Sequence, residues 1–139
     1  MIESKHIKYK TGYKYQLCAE VYFVTNCYPK KDITTQFLIL TTKGELTIKS
    51  GYAWDGPSGI SIDTKDFMRG SLVHDALYQL MRMSLLSLKF KCEADKHLQD
   101  ICIADGMWRI RAWWVYKAVA NFGHSSTLPR NKKEEKIAP

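Results

Sequence analysis

The spacing of apolar residues changes halfway along this chain, and this change limits the folds that the chain can adopt. Before Gly51, apolar side chains alternate with polar ones, which is the period of a half-buried β-strand. After Thr64 they recur every three or four positions, which is the period of an amphipathic α-helix. Strands followed by helices predict an α+β fold, with a small antiparallel sheet from the N-terminal half packed by about three helices from the C-terminal half.

Three strands and three helices are predicted. Residues 13–24 and 33–40 have the alternation and composition of strands, and a tight turn then predicts a hairpin to a third strand at 46–48. The first helix begins near Lys65, with Asp63 or Thr64 as its N-cap. The other two helices are predicted at 94–104, ended by Asp105-Gly106, and at about 108–121.

The chain is predicted to form one α+β domain over residues 1–124, followed by a polar, charged and disordered tail over residues 125–139. The tryptophans of the third helix are predicted to lie in the core, and His97 and His124 are predicted to face solvent. The tryptophans concerned are Trp108, Trp113 and Trp114.

The basic composition allows two interpretations, an anionic partner or a charged surface that serves solubility alone, and the basic residues form no dense stripe that would favour the first. The net charge is +7, from 21 Lys and Arg against 14 Asp and Glu, although exposed lysines could serve solubility alone. The four cysteines have no C-x-x-C spacing, so free thiols in a reducing compartment are expected. No stretch approaches the ~20 apolar residues of a membrane span, and no secretory signal is visible. We therefore expect a cytoplasmic location and no membrane partner. Nucleic acid is a possible partner that the sequence supports only weakly.

A glycine-rich loop at 51–59 followed by a polar helix face holds the candidate site. Trp54, Asp55 and Ser58 lie in the loop. On a helical wheel, an arc of about 100° collects the polar side chains of the first helix, which are Ser71, His74, Asp75, Tyr78 and Arg82. An acid, an imidazole and an aromatic wall so close in sequence favour a binding or catalytic pocket.

The residue types suggest separate roles. The predicted catalytic residues are Asp55, His74 and Asp75, because imidazole exchanges protons near neutral pH and a carboxylate can hold its useful tautomer. The predicted substrate-binding residues are Trp54, Ser58, Ser71, Tyr78 and Arg82. A divalent metal is a further hypothesis, with Asp55, His74 and Asp95 as its ligands.

Each assignment has a purely structural alternative. The polar helix face could be a solvated surface with an internal Asp75–Arg82 or His74–Tyr78 contact. Asp55 could form an Asx-turn to its own backbone, and Asp95 could simply favour the dipole of the second helix.

The loop motif, the His74-Asp75-Ala76-Leu77-Tyr78 motif and the Ala94-Asp95 pair together resemble domain-of-unknown-function family 1353, which is common in bacteriophages and prophages. The resemblance covers roughly residues 35–120 and extends to Tyr116. It implies a phage setting, with the host cytoplasm or the virion as location, and no established activity. The His74-Asp75 doublet with Asp95 is more loosely similar to His-Asp metal phosphohydrolases, which are all-helical and need an earlier helical histidine.

Three functions are compatible with these observations. The first is a small hydrolase acting on an anionic substrate, with or without a metal. The second is a non-catalytic binder that sequesters a nucleotide-type signal or a host defence protein. The third is a virion or assembly component, in which the tryptophan-rich third helix would be an interface.

Overall fold

The computed structural model describes residues 2–11, 15–54 and 64–122, and within them the strands precede the helices. The strands are β1 (Tyr9–Lys10), β2 (Tyr15–Leu17), β3 (Val21–Val24), β4 (Ile33–Thr34), β5 (Leu38–Leu40), β6 (Glu45–Ile48) and β7 (Ala53–Trp54). The helices are α1 (Lys65–Arg82), α2 (Lys91–Ala104) and α3 (Arg109–Phe122), with a 3₁₀ turn at Leu88–Phe90 before α2. The predicted α+β class is confirmed.

The described strands form two antiparallel sheets where the sequence predicted one. Strands β1, β2 and β7 make a three-stranded sheet in the order β1-β2-β7, and the others make a four-stranded sheet in the order β3-β6-β5-β4. The predicted strand at 13–24 is divided by a bend after Leu17, so its two parts enter different sheets. The predicted strand at 33–40 is divided too, because Thr35 forms a turn in which its hydroxyl accepts the Leu38 N–H at 3.0 Å.

The predicted hairpin to the third strand is present. Leu40 on β5 pairs with Leu46 on β6, and the turn between them contains Gly44 with φ of 83°. A Cβ at this glycine would lie 2.4 Å from the Thr25 carbonyl oxygen, so the turn tolerates no larger residue without moving. The alternating inward residues of β3, β5 and β6 form the sheet side of the main core.

Helix α1 is buried around most of its circumference, because the sheets cover one side and α2 packs on another. Its apolar residues join the main core, and Phe67 joins a second apolar cluster between α2 and α3. Gly70 allows the close approach of α2, since a Cβ there would lie 3.0 Å from both the Leu98 Cδ1 and Cys102 Sγ atoms. Arg69 fixes the same junction through a bidentate ion pair with Asp105, whose shortest distance is 2.9 Å.

Helix ends agree with the predictions to within a few residues. Thr64 is the N-cap of α1, and α2 ends as predicted, with Gly106 at φ of 104°. Helix α2 begins three residues earlier than predicted, at Lys91. None of the described helices has the length and apolarity needed to cross a membrane. The predicted tail at 125–139 lies outside the described residues.

The prediction that the tryptophans of α3 lie in the core is wrong. Trp108 is 84% exposed, Trp113 45% and Trp114 64%. Helix α3 packs on α2 through its smaller side chains, including the buried Ala112 and Val115. The tryptophans therefore lie on the side of α3 that faces away from the core.

Candidate functional site

The residues predicted to share one face of α1 lie in three separate environments. Ser71 and Tyr78 are buried, so the alternative of a solvated polar surface does not describe this helix. Ser71 contacts Trp54, and His74 and Tyr78 contact α2. Asp75 lies between Tyr52 and Arg82, each of which contacts one of its carboxylate oxygens.

The group between α1 and α2 is centred on Asp95, which is 1% exposed. Its Oδ1 atom lies 2.8 Å from the Nε2 of His74 and accepts the Tyr78 hydroxyl at 2.5 Å. Its Oδ2 atom accepts the ammonium group of Lys91 at 2.8 Å. We call His74, Tyr78, Lys91 and Asp95 the Asp95 cluster.

The surroundings keep Asp95 ionised and Tyr78 protonated. Burial raises the pKa of the Asp95 carboxyl group, but hydrogen bonds from His74, Lys91 and Tyr78 outweigh this effect and hold the pKa below its ordinary value. Burial, and then the hydrogen bond to Asp95, raise the pKa of Tyr78 far above its ordinary value. At neutral pH the cluster therefore contains a carboxylate that accepts from three donors.

The ionised state of Asp95 determines the tautomer of His74. A carboxylate can only accept hydrogen bonds, so the His74 Nε2 atom must carry a proton and donate it. Neutral His74 then has its lone pair on Nδ1. No partner for Nδ1 is found in the described part of the chain, and no buried side-chain nitrogen or oxygen there lacks a partner. The Nδ1 atom of this 12%-exposed side chain therefore retains access to solvent.

Asp75, the neighbour of His74 in sequence, belongs to a different group of side chains. Its Oδ2 atom accepts the Tyr52 hydroxyl at 2.5 Å, and its Oδ1 atom lies 4.0 Å from the Nη2 atom of Arg82. Adjacent residues project about 100° apart around a helix, so the Asp75 side chain leaves α1 in a different direction from that of His74. The carboxylate bonded to His74 is that of Asp95 on α2. The Asp75–Arg82 and His74–Tyr78 contacts raised as structural alternatives are both present, the latter with ring centroids 4.0 Å apart.

Trp54 belongs to the core. Its indole N–H donates to the Ser71 hydroxyl at 3.1 Å, and the ring packs against Tyr9, Tyr15 and Tyr52. The side chain is 1% exposed. A ligand could stack on this ring only after the aromatic neighbours had moved.

The described residues do not fit a divalent metal ion. Among residues 2–11, 15–54 and 64–122, no group of three or more His, Cys, Asp or Glu side chains could hold one. Within the predicted ligand set, His74 and Asp95 are bonded to each other, and the ammonium group of Lys91 occupies the other carboxylate oxygen. Asp55, the third predicted ligand, lies outside the described residues, as does Ser58.

Two polar residues of α2 were missed or misplaced by the sequence analysis. Lys91 was not singled out, although it lies four residues before Asp95, which is the spacing of an ion pair on one helix face.

His97 is only 9% exposed, and the prediction that it faces solvent is wrong. Its Nε2 atom accepts the Asn26 N–H at 2.9 Å, and burial lowers its pKa. The apolar spacing of Ala94, His97, Leu98 and Ile101 was the available signal.

Comparisons with protein-family models, curated proteins and solved structures found no match for this chain. The resemblance to domain-of-unknown-function family 1353 therefore stays a prediction based on the motifs alone.

Proposed function

We propose that this protein is a small hydrolase in which His74 acts as a general base and Asp95 holds it in the active tautomer. The observation that carries the proposal is the 2.8 Å contact between the His74 Nε2 atom and a buried carboxylate. This contact leaves the basic Nδ1 atom directed away from its anchor. A histidine fixed by a carboxylate at one nitrogen is a common arrangement for proton transfer at the other.

In the proposed reaction, the His74 Nδ1 atom removes a proton from a water molecule as that water attacks the substrate. The imidazolium that forms is stabilised by the Asp95 carboxylate, which accepts its Nε2 proton in a hydrogen bond without taking it. Tyr78 and Lys91 position Asp95, since Tyr78 donates to its Oδ1 atom and Lys91 donates to its Oδ2 atom. The imidazolium then gives this proton to the leaving group as the bond between the leaving group and the attacked substrate atom breaks, so neutral His74 is regenerated.

An anionic substrate is the second part of the proposal. Its support is the net charge of +7. The phage setting and the host cytoplasm are also part of the proposal and rest on the motif resemblance.

A contact or assembly function is the second candidate, because large apolar side chains of α3 are exposed.

The tautomer of His74 gives the most direct test, because it needs no substrate. In ¹⁵N-labelled protein at a pH where His74 is neutral, the ring shifts should show Nε2 protonated and Nδ1 bare. His74→Gln assigns the signals, and exposed His6 serves as an internal control for an unrestrained ring. A neutral His74 protonated at Nδ1 would contradict the proposal.

Activity gives the second test. The assay should use three substrates, a nitrophenyl phosphate monoester, a nitrophenyl phosphodiester and a nitrophenyl carboxylate ester. Each should be tested with the wild type, with His74→Gln and with the control His6→Gln. Loss of a general base should reduce kcat by about 10²–10⁴-fold, and Asp95→Asn should reduce it similarly because it no longer selects the tautomer. Equal activity of His74→Gln and His6→Gln would remove His74 from the mechanism.

A further inference from the structure

The outward side of α3, together with Trp108 just before the helix begins, presents an unusual set of large apolar side chains. Trp108 is 84% exposed, Ile110 74%, Trp113 45% and Trp114 64%. We call these residues the tryptophan face. The opposite side of the same helix is already buried against α2, so α3 is apolar on both sides. A helix of this kind usually has contacts on both sides.

The tryptophan face is about as large as the largest apolar patch on a typical monomeric protein, and such a patch is often functional. A tryptophan side chain covers 150–250 Å², so the exposed parts of these three rings amount to roughly 300–500 Å² before Ile110 is added. Exposed apolar patches of this size commonly mark an interaction site.

The charges around the face favour an anionic partner. Helix α3 contains Arg109, Arg111 and Lys117 and no acidic residue. The ammonium group of Lys117 lies 5.6 Å from the centroid of the Trp113 ring, so cation and indole are presented together. The net charge of +7 acts in the same direction.

A second copy of this chain fits the face poorly. Two α3 helices facing each other would bring like charges together. The face is also a poor stacking platform for nucleic acid, because Trp113 and Trp114 meet edge to face at 75° and present no common plane to successive bases.

We propose that the tryptophan face binds the surface of an anionic phospholipid bilayer. The indole rings and Ile110 enter the headgroup region, while Arg109 and Lys117 contact lipid phosphates. Tryptophan and basic residues together on one exposed helix are typical of helices that lie in the membrane interface. The expectation of no membrane partner came from the lack of a spanning segment, and it does not apply to a helix that lies in the interface.

Binding to vesicles tests the proposal directly. The full chain should cosediment with vesicles of phosphatidylcholine and phosphatidylglycerol at 3:1, with at least tenfold lower affinity for phosphatidylcholine alone. Brominated lipids should quench the tryptophan fluorescence. Equal affinity for the two vesicle types, or binding to neither, would overturn the proposal.

Variants separate the face from the rest of the surface. Trp113→Ser with Trp114→Ser should weaken binding at least tenfold, whereas Leu85→Ser, at a site as exposed as Trp113, should not. Arg109→Gln with Lys117→Gln should weaken binding more than Lys30→Gln with Lys31→Gln, which removes the same charge from another surface. Equal weakening by the two charge pairs would show that only net charge matters and would refute the docking site.

Light scattering and a DNA competition complete the test. A wild-type dimer that becomes a monomer on the two tryptophan substitutions, without vesicle binding by either protein, would identify a second copy as the partner and refute the proposal. Displacement from the vesicles by a single-stranded oligonucleotide that binds the same face more tightly would refute it as well. Circular dichroism must show that every variant is folded.

Discussion

The hydroxyl group of Tyr78 should contribute measurably to stability, because it is buried and bonded to a carboxylate. The change to test is Tyr78→Phe, which keeps the ring and removes only the donor that lies 2.5 Å from Asp95. A hydrogen bond to a charged group contributes about 1.5–3 kcal/mol. His74 and Lys91 still bond the carboxylate in the variant, so we expect a loss near the lower end of this range.

The expected loss can be converted into a change in melting temperature. With an unfolding entropy of about 2.1 cal/mol/K per residue, the Tm of a 139-residue chain falls by about 3–4 °C for each kcal/mol of lost unfolding free energy. Tyr78→Phe should therefore lower Tm by about 5–6 °C, and urea unfolding should give a free energy of unfolding lower by the matching amount.

Tyr22→Phe is the matched control. Its hydroxyl group also bonds a carboxylate, that of Glu20, but on the exposed surface, where the bond competes with water. The control should leave Tm nearly unchanged. If Tyr78→Phe destabilised the protein no more than Tyr22→Phe, the Asp95 cluster would not hold α1 against α2 as described.

Three further predictions concern acidity, packing and thiol reactivity. The pKa of Asp95 in the folded protein lies below its ordinary value of 3.8, so the stability that the carboxylate contributes is complete above pH 3.8 and is lost as the pH falls through the folded pKa. The difference in unfolding free energy between the wild type and Asp95→Asn should therefore become smaller in acid. A difference that stays constant with pH would contradict this prediction. Gly70→Ala should destabilise the protein by up to about 2 kcal/mol in urea unfolding, since crowding of Leu98 outweighs the gain in helix propensity, and a more stable variant would show that α2 can move away. Burial raises the pKa of Cys27 and of Cys102 to about 12, so a disulfide reagent at neutral pH should label only the two exposed cysteines until the protein is unfolded, and rapid labelling of all four would contradict the burial.

The fold class could be predicted because a change of apolar period is visible in the sequence itself. The two sheets could not, because the alternation of residues 13–24 continues through the bend after Leu17 without a glycine or proline to mark it. The division at Thr35 was hidden in the same way, since it depends on a hydroxyl group that forms a turn rather than on a break in the pattern.

The candidate site could be predicted only in part. A helical wheel identified His74 and Tyr78 as neighbours on α1. A wheel shows the directions in which the side chains of one helix project, but it does not show which residue of another helix they contact. The partner is Asp95, and it reaches them because Gly70 lets α2 pack closely on α1. The same limit explains the error on α3, where both sides are apolar and the sequence does not show that the side with Ala112 faces inward.

Lys91 lies in the first turn of α2, where a positive charge opposes the partial positive charge of the helix end. Local preference alone would place an acidic residue there, so the α2 sequence taken out of the protein should fray at this end. The turn becomes favourable once Tyr78 and His74 of α1 have fixed the carboxylate that Lys91 binds. We therefore expect the first turn of α2 to form when α2 docks on α1, so that the two helices gain their structure together.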